Sequence, residues 1–187
     1  MITVKGRNAC GDGLASSLTI TVNSSVPATA GAITGSTEIC RGQNSVSYSL
    51  PVISQANTYE WTLPVGASGT SSSNNITLNY GSSSISGNII VKGVNACGTG
   101  SASNLAITVS TSAPSDAGTI TGANTVCRGQ NSVSYSVPAI LNANSYEWTL
   151  PDGATGTSTT NSITVNYGSS ANSGYVTVRG VNACGYG

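Results

Sequence analysis

Residues 40–49 read C-R-G-Q-N-S-V-S-Y-S, and residues 127–136 repeat the same ten letters. In the first copy, apolar and polar side chains alternate from Ser45 to Leu50, so that Val46, Tyr48 and Leu50 share one face. Strict alternation is typical of a β-strand with one face in a core and the other in water. The stretch therefore predicts a half-buried strand that occurs twice in the chain.

The repetition extends along the whole chain with a period of 87 residues. The letters N-A-C-G occur at Asn8, Asn95 and Asn182, and residues 27–100 align with residues 114–187 without a gap at 49 identical positions of 74. A fixed period of this length indicates one small domain in tandem copies.

The period also predicts the domain boundaries. We expect the C-terminal part of a preceding β-sandwich repeat at 1–26, a complete repeat at 27–113, and a repeat lacking its last strand at 114–187. The chain then represents a window on a longer array. Because Pro27 and Pro114 lie in short links between repeats, we expect little bending between them and a semi-rigid rod.

Further stretches of each repeat show the pattern of short strands. In the complete repeat they lie at 32–34, 38–40, 59–63, 76–80, 89–91 and 105–109, separated by turns rich in Gly, Pro, Asn and Ser. About seven such strands predict an all-β fold of tandem antiparallel β-sandwiches. No stretch carries a helical period over three turns, so helix should be nearly absent.

The five cysteines follow the same period. Cys40 to Cys97 and Cys127 to Cys184 both span 57 residues, which predicts one disulfide within each repeat and leaves Cys10 unpaired in this window. On the chain-entropy model, closing such a loop stabilises a small domain by roughly 4 kcal/mol. Disulfides persist in oxidising surroundings, so we expect an extracellular or periplasmic protein. No metal site is expected, because the chain has no His and no closely spaced Cys pair.

The composition excludes several functions. Six Lys and Arg balance six Asp and Glu, so there is no basic surface for nucleic acid. No run of about 18 apolar residues could insert into a membrane. Because Ser and Thr make up 54 of the 187 residues, the strand surfaces should stay soluble without charge. Such weakly charged units repel one another little, which favours self-association.

No catalytic residue or cofactor is expected, because histidine, the commonest general base, is missing. Glu60 and Glu147 occupy matching positions on the strand face opposite Trp61 and Trp148, where a surface hydrogen bond or ion pair is the expected role.

Several aromatic and basic residues could bind a ligand or hold the fold together. Their alternation places Trp61, Trp148, Tyr59 and Tyr146 in the core, although exposed tryptophans could stack on a sugar. Arg41 and Arg128 are expected to cap turn carbonyls or to pair with a carboxylate. Tyr175 and Tyr186 differ from their counterparts in the other repeat and could mark a contact.

The blocks Y-E-W-T-L-P-x-G-A at Tyr59 and Tyr146, N-x-I-T-x-N-Y-G and V-[KR]-G-V-N-A-C-G carry a family resemblance. They resemble the PKD-like and immunoglobulin-like repeats of large secreted proteins of Bacteroidota. This resemblance implies stalk modules of surface adhesins, including gliding-motility adhesins exported by the type IX secretion system.

We therefore expect a non-enzymatic stalk or filament shaft whose partners are neighbouring repeats of the same protein. One alternative is a weak carbohydrate- or surface-binding module that acts through avidity on a glycan or surface target. The other is a filament subunit, in which residues 14–26 of one molecule complete the last repeat of another by strand addition.

Overall fold

A computed structural model of the protein describes all 187 residues, which form strands, turns and loops without any helix. The prediction that helix is nearly absent is thus confirmed. For clarity, we call residues 27–113 the first unit and residues 114–187 the second unit.

The first unit contains eight strands. They are β5 (Glu38–Cys40), β6 (Val46–Ser49), β7 (Thr58–Thr62), β8 (Ala67–Ser68), β9 (Asn75–Tyr80), β10 (Gly87–Asn95), β11 (Gly98–Thr99) and β12 (Ser103–Ser110). Before them, residues 1–26 contribute β1 (Ile2–Val4), β2 (Arg7–Asn8), β3 (Gly11–Asp12) and β4 (Ser16–Leu18), which pair only among themselves and remain exposed.

Two sheets form the sandwich of the first unit. One has the order β11-β10-β12-β5, with β7 also paired to β10, and the other has the order β6-β9-β8. All pairs are antiparallel except β12 with β5, which run parallel with Ser110 opposite Cys40. The all-β sandwich prediction is therefore confirmed, with one parallel pair at the edge where the chain leaves the unit.

The predicted alternation places side chains as expected. Val46, Tyr48 and Leu50 are buried, and the serines between them are exposed. Across the core, β9 buries Ile76, Leu78 and Tyr80 in the same way. Because alternate residues point to opposite faces of a strand, the pattern of polarity reports burial directly.

A pair of tyrosines lies at the centre of the core. The Tyr48 hydroxyl donates to the backbone oxygen of Ser36 at 2.9 Å, so the Tyr80 hydroxyl donates to Tyr48, also at 2.9 Å. Burial raises the pKa of both hydroxyls, and for Tyr80 the donated hydrogen bond raises it further. Tyr80, the last residue of β9, is completely buried.

The second unit contains seven strands. They are β13 (Thr121–Gly122), β14 (Val133–Ser136), β15 (Ser145–Thr149), β16 (Ala154–Thr155), β17 (Ser162–Tyr167), β18 (Thr177–Asn182) and β19 (Gly185–Tyr186). They form the sheets β13-β14-β17-β16 and β15-β18-β19. Its core repeats the tyrosine pair, with the hydroxyls of Tyr135 and Tyr167 2.7 Å apart.

The second unit differs from the first where β12 would lie. Residues 125–127, which correspond to β5, form no strand, because β5 pairs only with β12 in the first unit. Val126 and Val176 are half-buried, whereas the corresponding Ile39 and Ile89 are fully buried. The uncovered side is an open groove of about 710 Å³ that reaches Tyr167.

No helix in the structure has the length and apolar character that crossing a membrane requires.

Candidate functional site

The most developed site of the chain is the junction between the two units. Its position follows from the register of the first unit, in which Gly87 of β10 pairs with Ile107 of β12. Ser110 stands three residues after Ile107 in β12 and lies opposite Cys40, so Cys40 lies beyond the end of β10 that begins with Gly87. Cys97 follows the opposite end of β10. At about 3.3 Å per residue, the two cysteines lie on the order of 30 Å apart.

This distance corrects the predicted disulfides. A disulfide joins Cα atoms that are less than about 7 Å apart, so Cys40 cannot reach Cys97. Cys127 and Cys184 occupy the corresponding positions of the second unit and are not bonded to each other. Instead, Cys40 of the first unit forms a disulfide with Cys184 of the second unit, with 4.8 Å between their Cα atoms. Cys10, Cys97 and Cys127 are exposed thiols.

The bridge is possible because the two cysteines occupy opposite poles of equivalent sandwiches. Cys40 lies at the pole where the first unit ends, and Cys184 lies in the turn between β18 and β19 at the pole where the second unit begins. Ser110 is a neighbour of both, since it pairs with Cys40 and its backbone oxygen lies 3.5 Å from the Cys184 sulfur. The last residue of β12 thus lies directly at the bridge.

The linker after Ser110 is held by the second unit. The Asn182 side-chain amide donates to the backbone oxygens of Ser112 and Asn142, and its oxygen accepts from the Cys184 N–H. These three bonds measure between 2.7 and 2.8 Å, and Asn182 is buried. The Asn142 amide also donates to the Ser112 hydroxyl at 3.1 Å. Sequence reasoning noted Asn182 only as a letter of the repeat and missed this role.

Pro114 completes the attachment of the linker. It is buried, and a Cβ added to Gly180 would come within 2.9 Å of its ring. Only glycine at 180 therefore allows the proline to pack so closely on β18. The chain between the units is consequently anchored at Ser110, at Ser112 and at Pro114, and no free segment remains to act as a hinge.

The same arrangement precedes the first unit. Asn95 donates to the backbone oxygens of Ser25 and Gln55, both at 2.8 Å, and accepts from the Cys97 N–H at 2.8 Å. Pro27 is buried, and a Cβ on Gly93 would lie 3.0 Å from it. The attachment of the linker to the following unit is thus a property of the repeat, because it forms at both places.

The two repeated carboxylates form surface ion pairs. Glu60 lies opposite Lys92 across β7 and β10, with Nζ 3.2 Å from its carboxylate, and Glu147 lies opposite Arg179, 2.8 Å away. Both carboxylates are about half exposed, so such pairs contribute at most about 1 kcal/mol. Each is occupied by its partner, as expected from the sequence.

The four aromatic residues predicted for the core lie at its edge. Trp61, Trp148, Tyr59 and Tyr146 are half-buried. The indole N–H of Trp61 donates to the backbone oxygen of Ser73, and that of Trp148 to Thr160. The Tyr59 and Tyr146 hydroxyls accept from the backbone N–H groups of Ile53 and Ile140. All four polar groups are therefore satisfied within their own unit.

Of the two structural roles expected for the repeated arginines, the structure shows the capping of turn carbonyls. The Nε of Arg41 donates to the backbone oxygen of Ser84 at 2.8 Å, and that of Arg128 to Ala171 at 3.0 Å. Each arginine follows a cysteine of the C-R-G-Q-N turn, so the bond fixes this turn against the sandwich.

The copy-specific tyrosines lie on the surface of the second unit. Tyr175 is 87% exposed, and Tyr186 lies under the Arg179 guanidinium, 3.7 Å from its ring centroid. That stacking gives Tyr186 a local structural role. No three His, Cys, Asp or Glu side chains come together in the way a metal ion requires.

Comparison with known proteins agrees with the observed architecture. The PKD-like domain family matches residues 26–107 and, a second time, residues 113–187. No curated protein matches the chain. PKD-like domains are typically binding or structural modules and not catalysts. Since the two matches together cover most of the sequence, the chain belongs to the PKD-like domain family and carries two consecutive copies of its domain.

Proposed function

We propose that the chain is a section of an extracellular stalk that holds an adhesive tip away from a bacterial surface. The junction carries this proposal. The bridge from Cys40 to Cys184, the hydrogen bond from Asn182 to Ser112 and the buried Pro114 attach consecutive units at several points. A stalk must hold its tip at a constant distance from the surface, and a junction without a flexible linker limits bending between consecutive units.

Other features support an extracellular and mechanical role. A disulfide between domains is maintained in oxidising surroundings. The resemblance of the Y-E-W-T-L-P-x-G-A and V-[KR]-G-V-N-A-C-G blocks supports a finer proposal, namely a surface adhesin of Bacteroidota that is exported by the type IX secretion system and serves gliding motility. The intact mass of the native product tests whether the two units belong to a longer array.

The decisive experiment replaces these repeats in the native adhesin by the same number of unrelated β-sandwich domains. A stalk function predicts that cells still adhere, because only the distance between tip and surface matters. Loss of adhesion with this matched replacement would place binding in the repeats and overturn the proposal. Glycan-array binding by the 187-residue chain would have the same consequence.

The carbohydrate-binding alternative depends on the tryptophans. A sugar platform needs an exposed aromatic face, whereas Trp61 and Trp148 are half-buried with their N–H groups bonded to backbone oxygens. This arrangement favours the stalk. Replacement of Trp148 by Ala should lower the stability of the second unit and leave glycan-array signals at background.

A second candidate function, strand addition between copies, is favoured by one observation. Leu18, Ile20 and Val22 correspond to Leu105, Ile107 and Val109 of the first unit, yet they are exposed by 61, 49 and 86%. Residues 14–26 of one copy could therefore occupy the open groove of another. The presence of residues 1–13 argues against this docking. They correspond to residues 175–187, which already occupy the equivalent position in the second unit, so the two segments would compete for it.

The test is the oligomeric state of the chain across concentrations. Strand addition predicts head-to-tail oligomers that Ile20→Asp abolishes, with Val52→Asp as an exposed control that leaves them intact. A monomer at all concentrations would contradict this second candidate.

A further inference from the structure

We propose that Cys97 and Cys127 are half-sites of further inter-unit disulfides, so that each junction of an array of this repeat carries one bridge. Cys127 would bond to the N-A-C-G cysteine of a following unit, and Cys97 to the C-R-G-Q-N cysteine of a preceding unit. This inference rests on the array of the proposed function. The bridge between Cys40 and Cys184 shows what each half-site binds.

The first type of half-site is already formed around Cys127. The Cys40 N–H, in the bonded copy, donates to the Gln43 side chain at 3.1 Å, and the Cys127 N–H donates to Gln130 at 2.9 Å. Each of these turns is closed by a backbone bond from the glutamine N–H to the cysteine oxygen, 3.1 Å in both. Cys127 thus has the local structure of the bonded cysteine, and its thiol is exposed.

The second type of half-site is formed around Cys97. Cys184, in the bonded copy, has its sulfur 3.5 Å from the backbone oxygen of Ser110. Cys97 has its thiol 3.4 Å from the backbone oxygen of Asn23, which stands 87 residues before Ser110. Since Ser110 is also the residue opposite Cys40 in β12, the position that a preceding cysteine would take lies beside Asn23. At the start of the first unit, the side of the junction that holds Cys97 therefore has the same local structure as the side of the bonded junction that holds Cys184.

Neither thiol has a partner within the two units. Cys97 lies at the pole where the first unit begins, and Cys127 lies at the pole where the second unit ends. Both sandwiches separate them, and the counterpart of each within its own unit, Cys40 or Cys184, is already used in the bond between the units. A unit of the same sequence placed before or after them supplies the matching half-site at the matching pole.

The chemistry of bridge formation balances with an external disulfide as oxidant. One cysteine thiolate attacks a low-molecular-weight disulfide such as oxidised glutathione, which gives a mixed disulfide and releases one thiol. The second cysteine displaces the remaining glutathione thiol. Two cysteine thiols have then lost two electrons and two protons, and one external disulfide has been reduced to two thiols.

The 187-residue chain provides the first measurement. We purify it without reductant, equilibrate it in a glutathione redox buffer, count thiols in denaturant and map disulfides by peptide mass spectrometry. The structure predicts the bond from Cys40 to Cys184 and three thiols, at Cys10, Cys97 and Cys127. Pairing within each unit would leave only the Cys10 thiol and would overturn the inference.

The second measurement uses the chain extended by one period, in which residues 101–187 are repeated after Gly187. The extension supplies the closing strand of the second unit, a third unit and two more cysteines. We expect two bridges, from Cys40 to Cys184 and from Cys127 to the appended copy of Cys184, with three thiols left. Three bridges with one thiol, or a Cys127 that stays reduced, would contradict the proposal.

Two matched variants of the extended chain separate bridging from folding. Cys127→Ser should remove the second bridge, retain the first and raise the thiol count from three to four. Cys97→Ser should keep both bridges and lower the count to two. Circular dichroism verifies that each variant is folded. A failure of the second bridge would leave the stalk proposal standing, since the exchange of repeats in the native adhesin tests that function separately.

Discussion

The side-chain amide of Asn182 donates a hydrogen bond to the backbone oxygen of Ser112, 2.7 Å away, and thereby ties the linker to the second unit. Asn95 and Ser25 repeat the relationship at 2.8 Å in front of the first unit. Each sandwich thus binds the chain that leads into it, and this contact lies beside the turn that holds Cys97 or Cys184.

Replacement of Asn182 by Asp tests this contact. An aspartate keeps the acceptor for the Cys184 N–H but cannot donate to Ser112 and Asn142, so two backbone oxygens lose their donor beside a new negative charge. We expect a loss of about 3 kcal/mol in the free energy of unfolding. Denaturant titration measures it, with the exposed Asn144→Ala as a control within about 0.5 kcal/mol of the parent. Equal stability of the two variants would contradict the role of Asn182.

The buried tyrosine pairs predict a loss of stability at alkaline pH. Burial, followed by the hydrogen bond to Tyr135, raises the pKa of Tyr167 from 10.0 to about 12. An unfolded tyrosine ionises first, so the stabilisation is complete below pH 10 and disappears as the pH rises through 12. In denaturant titrations at increasing pH, Tyr167→Phe should reduce the slope of the unfolding free energy against pH by the equivalent of about one proton. Tyr175→Phe, at an exposed position, should leave the slope unchanged.

Gly35 is predicted to tolerate no side chain. Its φ is +152°, and an added Cβ would overlap the ring of Tyr48, which is fixed in the core by its hydroxyl contacts. Gly35→Ala should therefore destabilise the first unit by about 3 kcal/mol. Gly42 also has a positive φ, +83°, but open space around it, so Gly42→Ala should cost about 1 kcal/mol. Thermal unfolding compares the two, and equal costs would show that the tyrosine ring moves freely.

A closing strand should stabilise the second unit. Residues 101–113 added after Gly187 would cover Val126 and Val176 as β12 covers Ile39 and Ile89 in the first unit. Burial of these side chains and of the strand's own apolar face should contribute at least about 2 kcal/mol. The midpoint of thermal unfolding measures the gain. The same extension with Ile107→Asp in the added copy should abolish this gain in stability. An unchanged midpoint with the intact extension would contradict the stabilising role of the closing strand.

The strands were predictable where burial alternates along them. Val46, Tyr48 and Leu50, like Ile76, Leu78 and Tyr80, lie where the sequence pattern placed them, because a strand turns alternate side chains to one face. The half-buried position of Trp61 was less predictable, since its pattern equals that of a core strand while β7 lies at the edge of its sheet. The hydrogen bond between Tyr48 and Tyr80 depends on which strands face each other, and no local pattern contains that information.

The repeat, its period and its strands were determined by the sequence alone, because identity at a fixed spacing and alternation of polarity are both local properties of the letters. The disulfide was decided by the tertiary structure. Cys40 is 57 residues from Cys97 and 144 residues from Cys184, and these separations differ by one period, so spacing alone cannot choose between them. The length of β10 decides the pairing, because its nine residues place Cys97 at the far pole of the first unit. The connection between the two units brings Cys184 to the pole at which Cys40 lies.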